Sequence, residues 1–169
     1  ENKKQKKLLM HQVEHDILTG LPNRNLLQDR LTQAIKKASR DAKILGVVFV
    51  DVDKFKSVND SLGHDAGDML LKLIANVMCN SIRSTDTVAR LSGDEFIILL
   101  DDIMDEMALV KIAQKIIDTI TLPITIKDRV LYITTSIGIS LFPKHGTDYN
   151  ELIKNADTAL YEAKASGRN

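Results

Sequence analysis

The stretch ARLSGDEFIILL, residues 89–100, decides the fold. Apolar runs at 88–91 and 96–100 flank Ser92, Gly93, Asp94 and Glu95, so the segment reads as two strands closed by a turn, with two carboxylates at its tip. Upstream, Met69, Leu70, Leu73, Ile74, Val77, Met78 and Ile82 recur at helical spacing, and before them ILGVVFV (44–50) is a continuous β-branched run, as expected of a strand covered on both faces. Downstream, Ala108, Ile112, Ala113, Ile116, Ile117 and Ile120 trace another helix. VLYITTSIGISLF (130–142) then alternates, with Leu131, Ile133, Ile137, Ile139 and Leu141 on one face. Helical patterns at 25–38 and 152–163 extend the unit at both ends.

Strand, helix, strand, strand, helix, strand is the split βαβ order, which predicts an α+β domain. Its ferredoxin-like βαββαβ core has a central, mainly antiparallel sheet flanked by helices, as in nucleotide cyclases and polymerase palms. A right-handed crossover makes the first two strands parallel, and the hairpin returns the third beside the first. The carboxyl end of the first strand and the hairpin tip then share one sheet edge, which brings Asp51 and Asp53 to Asp94 and Glu95. The turn completes an acidic cluster.

At 169 residues the chain has the length of one domain able to bury its own core. Lys plus Arg and Asp plus Glu both number 23, so no overall field draws it to nucleic acid or to an anionic membrane, and any anion site is local. The single Cys79 excludes an internal disulfide, fits a reducing compartment and reads as a small core residue. No apolar run is long enough to span a bilayer, so a cytoplasmic domain is expected, compatible with a membrane-anchored parent. Residues 1–15 combine a basic cluster with Leu9 and Val13, with Ile17 four further on. They read as the end of an upstream helix or linker, and 16–169 as the domain proper.

Carboxylates crowded at a strand end repel one another unless protons or a cation neutralise them. Hard oxygen donors without histidine or thiolate suit Mg²⁺, with Mn²⁺ as a substitute, and point to phosphoryl chemistry. An isolated D-x-D would more often be a loop cap and a solvated acid, but DVDKFKSVNDSLGHDAGDMLL (51–71) continues with a loop carrying Asn59, Asp60, Gly63 and Gly67 into the next helix. A carboxylate can pair with the N1–H and N2–H₂ edge of guanine and an Asn amide with O6 and N7, which makes Asp68 and Asn59 candidates. Their plain alternatives are a dipole-complementing acid and a turn former.

From DILTGLPNR (16–24), through DVDKFKSVNDSLGHDAGD (51–68), RLSGDEF (90–96) and SIGIS (136–140), to ADTALYEAKASGRN (156–169), the chain resembles the GGDEF domain of diguanylate cyclases. The resemblance implies condensation of two GTP into cyclic di-GMP and two pyrophosphates at the interface of an antiparallel homodimer. It implies Asp51, Asp94 and the Val52 carbonyl as metal ligands, and Glu95 as the group activating the 3′-hydroxyl. Lys56 would stabilise transition-state charge, Asn59 and Asp68 would contact guanine, and His64 would lie near the ribose. The N–H groups of Lys54 and Phe55, with Lys164 and Arg168, would hold phosphates. RSTD (83–86) stands where the family has its R-x-x-D inhibitory site for product, giving Arg83 and Asp86, with Arg90 adding to it. An upstream sensory region would regulate the dimer.

One departure stands out. The family turn begins Gly-Gly and this one Ser92-Gly93, an SGDEF variant. Nucleotide binding survives this if Ser92 has negative φ and its Cβ avoids the nucleotide; otherwise substrate binding is compromised. The alternative expectation is a catalytically silent domain that senses GTP or cyclic di-GMP.

Overall fold

Strand β1 (Ile44–Val52) is buried at every residue but Ile44. Its alternation divides the interior in two. Leu45, Val47 and Phe49 point to one side of the sheet, and Val48, Val50 and Val52 to the other. In the computed structural model, residues 2–167 are described. Around β1 the elements run α1 (Asn2–Glu14), α2 (Arg24–Asp41), α3 (Phe55–Leu62), α4 (His64–Asn80), β2 (Thr87–Ser92), β3 (Glu95–Ile103), α5 (Glu106–Ile120), β4 (Ile124–Ile126), β5 (Arg129–Leu131), β6 (Thr135–Phe142) and α6 (Tyr149–Ala165).

The main sheet has the order β2-β3-β1-β6, and every neighbouring pair is antiparallel. This is the expected topology, with β3 between the two parallel-running strands. Helices α4 and α5 cover one face through Leu70, Leu71, Ile74, Met78, Leu109 and Ile116. Helices α2 and α6 cover the other through Leu27, Leu31, Leu152, Ala156 and Leu160. Removing a side chain as large and as completely buried as Phe96 costs about 3–5 kcal/mol. Helix α6 lies so close to β6 that a Cβ on Gly138 would stand 2.0 Å from the Ala156 carbonyl oxygen, so only glycine permits that packing. Among the described residues no helix is long and apolar enough to cross a membrane.

Three expectations are corrected. The segment read as a loop carrying Asn59, Asp60, Gly63 and Gly67 is helical except at Gly63: Asn59 and Asp60 belong to α3 and Gly67 to the first turn of α4. Phe55, Val58 and Leu62 do carry a helical period, but over so short a span the Asn, Asp and Ser between them mask it; Val58 is buried and the other two pack beside it. The alternating run 130–142 is not one strand. Residues 129–131 pair with β4 across a turn in which Lys127 and Asp128 both have positive φ, and β6 begins only at Thr135. The cause is the partner, because the β1 ladder ends at Val52, opposite Thr135, and beyond it only the Asp53 N–H bond to the Thr134 carbonyl continues. Cys79 is exposed rather than in the core. The buried stripe of α4 follows Ala66, Leu70, Leu71, Ile74, Ala75 and Met78. Cys79 falls one residue beyond it, about 100° around the helix, and Met69 and Leu73 also lie off the stripe, partly in solvent.

Candidate active site

Strand β1 delivers Asp51 to the sheet edge in register with Glu95 of β3 on one side and Ser136 of β6 on the other. The Val52 N–H donates to the Asp94 carbonyl at 3.2 Å, which pins the signature turn against the end of β1. Asp51 and Asp53 are both buried. Their surroundings differ. Asp51 Oδ2 is paired with the Lys164 ammonium from α6, while Oδ1 is buried with no hydrogen-bond partner among the described residues. Asp53 lies past the strand end and accepts from the Thr134 and Ser136 hydroxyls, both at 2.7 Å, while its own N–H donates to the Thr134 carbonyl at 2.9 Å.

The turn is electrostatically costly. Burial holds the Asp94 carboxyl above its usual range, and the charge of Asp53 adds to this against the opposing Arg90. Glu95 is raised too, first by burial, then by Asp94 and Asp157, with Arg24 and a hydroxyl bond from Ser92 opposing. The left-handed residue of the turn is Gly93, φ 48°, and Ser92 is not among the residues of positive φ. Serine therefore meets the backbone half of the condition, replacing the first glycine without strain in φ.

Helix α3 starts two residues after β1. Lys54 turns the chain with φ 55°, and no side chain caps the helix, so its first N–H groups face the same edge. Asn59 on α3 packs on Gly67 of α4, where an added Cβ would stand 1.8 Å from the Asn59 amide oxygen. Asp68 follows Gly67 on the exposed part of α4, and His64 opens that helix, also exposed. Lys54 and Lys56 are exposed beside them. Arg168 lies outside the described residues. Among the described residues no group of three or more His, Cys, Asp or Glu side chains is arranged to hold a metal, so an ion here would rest on Asp51, Asp94 and backbone oxygen.

A second corner forms at the far end of the β2–β3 pair. Asp86 accepts from the Arg83 N–H at 3.0 Å, from Arg83 Nε and Nη2 at 3.2 Å each, and from the Asp101 N–H at 3.0 Å; Arg83 also donates to the Asp101 carbonyl. A groove of about 420 Å³ opens beside it, lined by Arg30, Gln33 and Lys37 of α2 with Thr85 and Asp86. Arg90 is not part of this corner. It is engaged at the signature turn, by Asp16 and by the Gly93 carbonyl.

A family profile, "Diguanylate cyclase, GGDEF domain", matches residues 13–169. The chain belongs to the GGDEF family. The GGDEF domain of TpbB from Pseudomonas aeruginosa has the same fold, with a TM-score of 0.89 at 41% identity over 91% of this chain and 90% of that one. Among curated relatives, the bifunctional diguanylate cyclase/cyclic di-GMP phosphodiesterase MucR of the same species is 46% identical over 155 residues, 92% of this chain and 22% of MucR. The cyclic di-GMP phosphodiesterase NbdA, also from that species, is 41% identical over 161 residues, 95% of this chain and 20% of NbdA. This GGDEF chain thus spans about a fifth of each of these two relatives.

Several residues that shape the edge have little sequence signal. Thr134 and Ser136 look like ordinary members of an alternating strand, and Arg24 and Asp157 like surface charges. Gly67, expected in a loop, lies instead inside α4, where a glycine in an apolar helix is the kind of signal that marks a close approach such as that of α3.

Proposed function

We propose that this GGDEF domain is a diguanylate cyclase, condensing two GTP into cyclic di-GMP and two pyrophosphates where two copies meet antiparallel. Each 3′-hydroxyl attacks the α-phosphorus bound by the other copy, a P–O bond forms, the bond to the β-phosphate oxygen breaks, and pyrophosphate leaves. The observation that carries this reading is the buried, unpartnered Asp51 oxygen beside a turn whose own carboxylate is held above its usual range. Such a pair is destabilised as it stands and gains from a hard cation.

Asp51, Asp94 and the Val52 carbonyl would hold Mg²⁺ or Mn²⁺. When bound, the ion supplies charge stabilisation to the phosphate oxygens. The remaining work falls to this chain. The free N–H groups at the start of α3, from Lys54 and Phe55, suit terminal phosphate oxygens. Lys164, now on Asp51, holds the phosphates together with Arg168, a role the resemblance implies for both. Lys56 offsets charge as the α-phosphate reacts. Asn59 and Asp68 contact guanine, and His64 lies towards the ribose. Glu95, raised in pKa, fits transfer of the 3′-hydroxyl proton. Arg83 and Asp86, beside an open groove with further cations on α2, form the inhibitory site for product.

Helix α1 buries no residue and exposes Leu8, Leu9, Met10 and Val13, which supports reading it as the end of a signalling helix that brings two copies together. The test is incubation of the domain, tethered as a dimer, with GTP and Mg²⁺, followed by chromatography, with Asp94→Ala as control. Cyclic di-GMP that disappears in the control is the expected result. Absence of product with nucleotide still bound moves the domain to the sensor reading.

A further inference from the structure

Asp16, the first residue of the stretch DILTGLPNR, and Arg90 are 74 residues apart in sequence and touch in the fold. Arg90 Nη1 donates to both Asp16 oxygens, at 3.0 and 3.1 Å, and Nε donates to the Gly93 carbonyl at 2.9 Å. Its backbone N–H donates to the Pro22 carbonyl at 3.0 Å. Asp16 is itself held, accepting from the Thr19 N–H at 2.8 Å and the Thr19 hydroxyl at 2.7 Å, while its own N–H donates to Leu21. The guanidinium therefore joins a fixed loop to a turn carbonyl, and little water reaches it, since the Arg90 side chain is 13% exposed and that of Asp16 20%.

The turn needs such a partner. The β2–β3 ladder slips between Arg90 and Ser92, and beyond the Ser92–Glu95 pair Gly93, at φ 48°, and Asp94 lie outside it in the turn. A glycine in a two-residue turn keeps many conformations unless its carbonyl is held. Arg90 holds that carbonyl, and the Val52 N–H holds the next one, on Asp94. Only a planar fork can satisfy acceptors on both sides in this way; a lysine presents one point charge.

We propose that Arg90, anchored on Asp16, is a positioning residue for the signature turn: it fixes the Gly93 carbonyl and so sets where Asp94 stands relative to Asp51. The clamp is a matter of geometry, and its effect on catalysis rests on the cyclase reading above. A pair that merely stapled the amino-terminal loop to β2 would affect stability and nothing at the metal.

The experiment uses the 169-residue chain with Asp16→Asn, Asp16→Glu and Arg90→Lys, and Ile116→Val in α5 as a destabilised control. Amide exchange is followed in peptides covering 91–96, and Mn²⁺ binding by electron paramagnetic resonance in the presence of a non-reacting GTP analogue. The expected result is faster exchange at 93–95 in Asp16→Asn and Arg90→Lys, with 97–100 unchanged. Mn²⁺ binding weakens about tenfold or more in the same two variants, as for other groups that orient metal ligands. Asp16→Glu recovers part of both, and Ile116→Val changes neither. Unaltered exchange and Mn²⁺ affinity in a folded Asp16→Asn overturn the proposal, even where the unmodified chain makes cyclic di-GMP. If that chain neither binds Mn²⁺ nor makes product yet the exchange result holds, the cyclase reading fails and the clamp on the turn stands.

Discussion

Two arginine–carboxylate pairs sit at opposite ends of the β2–β3 hairpin, and they are built differently. At the signature turn, Arg90 is almost enclosed and both of its partners are fixed parts of the chain. At the other end, Asp86 is 1% exposed, fully engaged and part of the lining of a groove, while the Arg83 side chain is 55% exposed. A closed pair sets the position of backbone. An open arginine, its anchor already satisfied, keeps donors for a ligand. The same two residue types are thus closed off at one corner and left open at the other, and burial makes the difference.

The largest test of that contrast is Asp94→Ala, which should lower cyclic di-GMP synthesis about a thousandfold or more, as loss of several kcal/mol of metal-borne stabilisation implies. Titration calorimetry of the same variant should find cyclic di-GMP still binding at the Arg83 corner; loss of both together would mean that the two corners are not separate. Asp86→Asn comes next. Its amide turns an NH₂ towards the Arg83 and Asp101 donors that the carboxylate now accepts from, and should destabilise the fold by about 1–3 kcal/mol in chemical denaturation. Arg83→Ala removes two of the donors on buried Asp86 but leaves its two backbone N–H partners, so it should lower the melting temperature less than Asp86→Asn does, yet weaken cyclic di-GMP binding about tenfold to a hundredfold. A large stability loss there would place Arg83 with Arg90 as a closed pair.

The smallest effect is in pH. Asp94 and Glu95 have raised carboxyls, so in the metal-free protein the stability tied to them is fully present below their ordinary values and is lost as pH rises through the raised ones. Asp16 behaves in the opposite sense. Burial alone would raise it, but the Thr19 bonds and Arg90 outweigh burial and hold it low, so its contribution persists until pH falls through that lowered value. Lowering pH from neutral to about 4 should therefore relieve the turn while the Asp16–Arg90 clamp still holds. In metal-free Asp94→Asn the melting temperature should rise slightly at neutral pH and depend less on pH; a fall would show that Asp94 is already compensated inside the chain.

Much of this was legible in the sequence because it depends on short-range periodicity. The β-branched run of β1, the apolar stripes of α2, α4, α5 and α6 and the hairpin around Gly93 each follow from spacing alone. Strand order then follows from connection rules, and the meeting of Asp51 with Asp94 and Glu95 from strand order. Where prediction failed, the deciding partner was distant in sequence. α3 is helical because Val58 finds a buried seat; residues 132–134 leave the sheet because β1 ends at Val52; Cys79 is exposed because the stripe of α4 passes it by.

For the site the division is similar. The sequence by itself determined which carboxylates, amides and cations the domain owns and that its signature turn departs from two glycines, since residue identity and local order need no fold. Only the tertiary structure decided that Ser92 escapes the strained conformation, that Lys164 reaches Asp51 and that Arg90 belongs to the turn and not to the R-x-x-D corner. These are matters of direction, burial and contacts across dozens of residues. A long side chain with four rotatable bonds, such as arginine, reaches acceptors on either side of its strand, and the packed chain around it selects one.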